Sequence, residues 1–199
     1  GTLAIAIAYA QYILCQNTSG ENTSGHTACN LKFESLTHTD LHFIFPTVTT
    51  EEVKSKPKST DFRTEWRQFV TQNPYGSLFD WYQVLDVHNK QGEIRVDDAQ
   101  EIVKLLSLKA YEGGYKITII WMADKMNTEA SNKLLKLLEE PEDKTVFILI
   151  SENEEAIIQT IRSRCQVLHF GGLPEKIIEN ALVSRENIAE RAAKKLAHQ

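Results

Sequence analysis

The chain lacks any long uninterrupted apolar run of the kind that spans a membrane. Its apolar N-terminal stretch, Leu3–Cys15, is short, is broken by Tyr9 and Gln11 and has no basic segment before it. It therefore reads as a buried helix and not as a signal peptide. Positive charge is in deficit: 22 Lys and Arg face 27 Asp and Glu, a formal net charge of −5. That balance argues against a free-standing, strongly basic DNA clamp, although an acidic chain can still present a local basic patch. Cysteine is scarce too. The three, at positions 15, 29 and 165, form an odd set without close spacing, which argues against a disulfide framework and for a reduced, cytoplasmic protein.

What is present is ordinary globular composition, 42% hydrophobic and 25% charged over 199 residues, enough for one α/β domain and part of a second. The chain enters a helical apolar pattern with no strand before it, so an incomplete domain with a strand and a loop upstream is expected. Gln16–Thr27 is a polar loop. Leu31–Leu36 is a short helix, and Leu41–Thr47 a strand ending near Pro46. Thr49–Thr60 is an exposed excursion, and Asp61–Thr71 a helix with Asp61 as its cap. Ser77–Leu85 is helical, Gly92–Val96 extended, Asp97–Leu108 a helix, and Gly113-Gly114 a turn. Lys116–Met122 is a near-continuous apolar strand of the parallel, doubly covered type. Asn127–Glu140 is a helix capped by Asn127 or Thr128 and stopped by Pro141. Thr145–Ser151 is a second central strand, Glu154–Arg162 a short helix and Gln166–Phe170 a third strand. Two further helices, Glu175–Val183 and Glu186–His198, follow. Strands alternating with helices imply a parallel sheet with helices on both faces. The expected division is an α/β domain at 1–172 and the start of a helical module at 173–199.

The chemistry turns on the end of the 116–122 strand. In a P-loop ATPase such a strand ends in carboxylates that hold Mg²⁺ and polarise the attacking water. Here Trp121 and Met122 occupy those positions, and an indole and a thioether are poor Mg²⁺ ligands. Asp124 comes beyond the strand end and reads as a loop or cap residue. Glu139 and Glu140 sit together at a helix C-terminus, not across a cleft, so they do not form an acid/base pair. The P-loop lysine is not in this sequence, and Gly1-Thr2 is at most the tail of such a loop, with Thr2 as its remnant. Ser151 or Glu152 falls where a residue would sense a γ-phosphate. Cys15, His26 and Cys29 are zinc candidates, with His38 as a conceivable fourth ligand, but the close ligand pairs of structural zinc sites are missing, and a metal-free loop is the expectation. The aromatics between Phe62 and Tyr82 could stack on bases. Their helical spacing and the few nearby basic residues, Arg63 and Arg67, place most of them in the core.

Taken together, the 116–122 strand, NTEASNKLLK (Asn127–Lys136), LLEEP (Leu137–Pro141), TVFILIS (Thr145–Ser151) and IRSRC (Ile161–Cys165) resemble the AAA+ clamp-loader ATPases, and among them the delta-prime family of bacterial DNA polymerase III. HTDLHF (His38–Phe43) resembles a His-Pro-Asp-Leu segment of the same proteins, with Thr39 in place of proline. The resemblance runs from Leu3 to about Val183. It implies a three-layer, Rossmann-like P-loop NTPase fold followed by the start of a helical lid. It implies a degenerate Walker B motif at Trp121 and Met122, and no ATP hydrolysis by the chain itself. It also implies that Ser163-Arg164-Cys165 delivers Arg164 as an arginine finger to ATP bound by a neighbouring subunit, with Arg162 at most supporting it. The implied partners are the other clamp-loader subunits, with the sliding clamp and primed DNA reached through the assembly. The chain would be an accessory subunit of a DNA-directed DNA polymerase complex. An active ATPase motor subunit and a zinc-stabilised nucleic-acid-binding module are the alternatives.

Overall fold

The structure, a computed structural model, describes residues 1–15, 28–87, 89–107, 110–111, 114–186 and 188–198. It divides into two compact units, Gly1–Gln166 and Val167–Gln199. The first is built on a parallel sheet of β1 (Leu41–Ile44), β2 (Lys116–Ile120) and β3 (Thr145–Leu149), in that spatial order. Leu41 lies opposite Ile117 and Ile44 opposite Ile120; on the other side Ile117 meets Val146 and Ile120 meets Leu149. All five residues of β2 are buried, as its β-branched run requires, whereas β3 at the edge is half-buried throughout.

Because side chains alternate along a strand, β2 feeds two cores. Ile117 and Ile119 join Leu3, Ala6 and Ala10 of α1 (Thr2–Cys15) and Phe33 of α2 (Ala28–Glu34). The same core takes in Trp66 and Phe69 of α3 (Arg63–Gln72) and Trp81 of α4 (Leu78–Val84). Ile44 and Ile120 turn the other way, onto Ile102 and Leu106 of α5 (Val96–Ser107), Leu134 of α6 (Thr128–Glu139) and Ile161 of α7 (Gln159–Arg162). The result is the helix–sheet–helix α/β architecture expected from the alternating pattern. The segment from 49 to 95 packs its large aromatics inward: Trp66, Phe69 and Trp81 are almost fully buried, while Tyr75 and Phe79 are exposed.

Local chemistry sets the element ends. The Asn127 side chain accepts from the Ala130 N–H at 2.9 Å and starts α6, as the sequence predicts. Asp61 does not cap α3. It sits in a 3-10 turn, Ser59–Phe62, where its carboxylate reaches back to the Lys58 N–H at 2.9 Å, and α3 begins after it. Two larger departures concern long-range contacts. Gln166–Phe170 is not a strand, and Val167, Leu168 and Phe170 are exposed. An apolar, β-prone run becomes a strand only where a ladder partner lies beside it. And Cys15 and Cys29, read as unpaired, form a disulfide with Cα atoms 5.7 Å apart. Packing of α1 on α2 brings together two cysteines that spacing alone kept separate. The polar loop and His26 lie outside the described residues, as does Gly113 of the expected turn.

The second unit packs α8 (Glu175–Glu186) against α9 (Glu190–Ala197), burying Ala193 and Ala197. His198 Nδ1 lies 2.9 Å from Glu175 Oε1. Among the described residues no helix is long and apolar enough to cross a membrane.

Candidate functional site

At the end of β2 the chain does not open into a polar cleft. The Trp121 N–H donates to the Ile44 carbonyl at 2.8 Å, continuing the β1 pairing past the strand. Its indole is 2% exposed and packs 5.2 Å from Trp66 and 5.8 Å from Phe69, centroid to centroid. Met122 is buried too, and takes a left-handed backbone, φ 54° and ψ 53°, that turns the chain sharply into a 3-10 turn at Ala123–Lys125. The Ala123 N–H then donates to the Ile150 carbonyl at 2.7 Å, tying this turn to the end of β3.

The nearest carboxylate, Asp124, is spoken for. Its Oδ1 accepts from Ser151 Oγ at 3.1 Å, its Oδ2 pairs with Lys125 Nζ at 3.1 Å, and its side chain is 3% exposed. Ser151 Oγ in turn accepts from the Asn153 N–H at 3.1 Å. Ser151 therefore holds two strand ends together, and Glu152 beside it is exposed. This set does not fit a Mg²⁺ ion. Two of the positions are buried apolar side chains, and the one carboxylate already has a hydroxyl and an ammonium.

The Ser163-Arg164-Cys165 segment is built differently, at the surface end of α7. This helix is a single turn, and its carbonyls need partners. The Thr160 carbonyl receives Ser163 Oγ at 3.1 Å and Arg164 Nη1 at 2.8 Å. The backbone closes the same turn, with Arg164 N–H on the Ile161 carbonyl at 3.0 Å and Cys165 N–H on the Arg162 carbonyl at 3.1 Å. Cys165 packs its half-buried thiol against the α5–α6 core, and that burial pushes its pKa up. Held between a serine that closes the turn and a cysteine that faces the core, Arg164 keeps its side chain 36% exposed. Its Nη2 reaches Glu139 Oε1 at 2.8 Å. Arg162 has a separate partner, Glu154, at 3.5 Å.

A family model described as "DNA polymerase III, delta subunit" matches residues 1–174. The chain belongs to that family. Its relatives include delta-prime subunits: it is 40% identical over 84 residues to that of Pseudomonas aeruginosa, covering 42% of this chain and 26% of the relative. To that of Bacillus subtilis it is 36% identical over 116 residues, 57% of this chain and 35% of the relative. To that of Escherichia coli it is 27% identical over 177 residues, 88% of this chain and 40% of the relative. The chain thus matches between a quarter and two-fifths of the length of these relatives. A solved DNA polymerase III gamma subunit-related protein from Thermotoga maritima aligns with a TM-score of 0.44 at 17% identity, over 96% of this chain and 58% of that one. The parallel sheet flanked by helices agrees with the AAA+ α/β fold that the sequence resemblance implied.

The remaining sequence-named residues of this delta-prime family member fall elsewhere. Thr2 is the first residue of α1 and half-buried. Cys15 and Cys29 hold each other, so neither sulfur is a thiolate ligand while the bond stands. Among the described residues no group of three or more His, Cys, Asp or Glu is placed to hold a metal ion. Two partners were not visible in the sequence as such: the Thr160 carbonyl, and Glu139 as the counter-ion of Arg164. A carboxylate at a helix C-terminus, where the dipole disfavours it, is the signal that could have pointed to a cation nearby. A separate cleft of about 290 Å³ lies between β1 and α3, lined in part by His42, Arg63, Arg67 and Glu101. None of Arg164, Trp121 and Met122 lines it.

Proposed function

We propose that this chain serves as part of a clamp-loader subunit of DNA polymerase III. In this reading it does not hydrolyse ATP and lends Arg164 in trans to ATP bound by a neighbouring subunit. It works in the cytoplasm during DNA replication. Its partners are the other loader subunits, and the sliding clamp and primed DNA are reached through the assembly. The observation that carries the proposal is a contrast within one domain. The strand end that would hold metal is filled by Trp121 and Met122, while the Arg164 guanidinium, held by the Thr160 carbonyl and Glu139, sits at the surface with its side chain 36% exposed.

The chemistry follows from the guanidinium. It stays charged at any physiological pH and can fork onto phosphate oxygens, and a trans arginine contributes roughly a thousandfold or more to phosphoryl transfer. ATP and Mg²⁺ are accordingly assigned to neighbouring subunits. The buried indole and thioether weigh against an active motor subunit, and the Cys15–Cys29 pairing weighs against a zinc-stabilised module. The test is steady-state ATPase of a reconstituted loader carrying Arg164→Ala, with clamp and primed DNA. Turnover at the neighbour's site is expected to fall roughly a thousandfold or more, the range a trans arginine supplies, with assembly intact by gel filtration. Unchanged turnover would remove the proposal.

A further inference from the structure

We propose that Glu139 is the resting counter-ion of Arg164, a weak latch that keeps the guanidinium from acting until a neighbour's nucleotide competes for it. The proposal rests on the trans-arginine reading of Arg164. Two terminal nitrogens of one guanidinium go to two different anchors: Nη1 to the Thr160 carbonyl and Nη2 to Glu139 Oε1, both at 2.8 Å. The first contact folds the guanidinium back onto the carbonyl four residues earlier, in the same turn. The second crosses from α7 to the end of α6, and it places a full negative charge on the group whose positive charge the reaction would use.

The carboxylate is placed there by the end of the helix. Glu139 is the last residue of α6, with Glu140 and Pro141 directly after it, so the helix cannot continue and the side chain is held at its end. A carboxylate at this pole meets the negative end of the helix dipole and gains from a cation. Arg162, the neighbouring cation outside the Ser163-Arg164-Cys165 motif, is paired with Glu154. Arg164 is thus the cation that Glu139 holds.

The strength of the pair makes it a latch and not a lock. Both side chains are partly exposed, 36% for Arg164 and 45% for Glu139. Surface pairs of this kind shift a population by no more than about fivefold. The gain from delivering a guanidinium to a phosphoryl-transfer transition state is larger by two orders of magnitude or more. A triphosphate in the adjoining site can therefore take the arginine from Glu139, whereas an empty site leaves it neutralised. Glu139 acts through Arg164 and is a positioning residue.

The test compares wild type, Glu139→Gln, Arg164→Ala and the double variant in a reconstituted loader, measuring ATPase with and without clamp and primed DNA. Glutamine keeps the size of the side chain at a half-exposed site, and thermal melting checks that the fold is unchanged. Glu139→Gln is expected to raise the unstimulated rate about two- to fivefold, the range a surface pair controls. The stimulated rate should stay within about twofold of wild type, and the change should vanish in the Arg164→Ala background. A fall in both rates, no change in either, or an equal rise without Arg164 would overturn the latch. Wild-type turnover in Arg164→Ala alone would instead sink the trans-arginine reading, so the two failures are distinguishable.

Discussion

Replacing Trp121 by aspartate puts a carboxylate at the end of β2, where the proposed reading compares it with a P-loop ATPase strand, and the structure predicts that the domain will not tolerate it. Trp121 is 2% exposed and belongs to a continuous aromatic group in which the Trp66 ring centroid lies 4.0 Å from that of Phe45, 5.3 Å from that of Trp81 and 5.2 Å from that of Trp121. Truncating a buried tryptophan costs about 3–5 kcal/mol. An unpartnered carboxyl in the space left behind adds several more, or forces its own protonation, so the total reaches about 5 kcal/mol or above. Natural domains have only about 5–15 kcal/mol to lose. Urea denaturation followed by near-ultraviolet circular dichroism should show Trp121→Asp largely unfolded at room temperature. Trp121→Phe, which keeps a ring in place, should lose about 1–2 kcal/mol. The reasoning is refuted if Trp121→Asp stays within about 2 kcal/mol of wild type, and doubly so if it gains Mg²⁺-dependent turnover.

Breaking the Cys15–Cys29 bond, by reductant or by Cys15→Ser, releases a link across 14 positions. It should cost about 3 kcal/mol, or roughly 6–12 °C in Tm for a domain of this size. Calorimetry that shows no difference between oxidised and reduced protein would contradict the pairing. His42 lies on β1 and its pKa is held below its ordinary 6.5, chiefly by burial. Arg63, Lys116 and His38 push the same way, and Asp40 opposes them. The unfolded chain then binds a proton that the folded chain resists, so this contribution is complete above pH 6.5 and is lost as pH falls through the folded value. His42→Gln should flatten the decline in urea midpoint between about pH 7 and 5. An unchanged slope would show that other groups set it.

Much of the α/β unit was legible because its signals are local. The β-branched run at Lys116–Ile120 and the apolar Thr145–Leu149 declare buried strands, and Asn127 and Pro141 bracket α6. What escaped depends on partners distant in sequence. Gln166–Phe170 has a strand's composition, but a strand needs a neighbour. Asp61 has a cap's chemistry, but it serves the 3-10 turn before α3, because Lys58 offers its N–H three residues back. Cys15 and Cys29 look unrelated until α1 and α2 are packed. The site shows the same division. Trp121 and Met122 at the end of β2 can be read from the sequence, whereas the aromatic group around Trp121 and the Glu139 contact to Arg164 exist only once helices are laid on the sheet.

The central claim is that Arg164 stabilises charge on a nucleotide it does not bind, and transition-state trapping reads that directly. A reconstituted loader incubated with MgADP and aluminium fluoride mimics the transferring phosphoryl group in the neighbour's site. The account predicts that wild type traps the analogue and that Arg164→Ala does not, with ATP binding by the neighbour retained in both. Equal trapping by the two assemblies would contradict it.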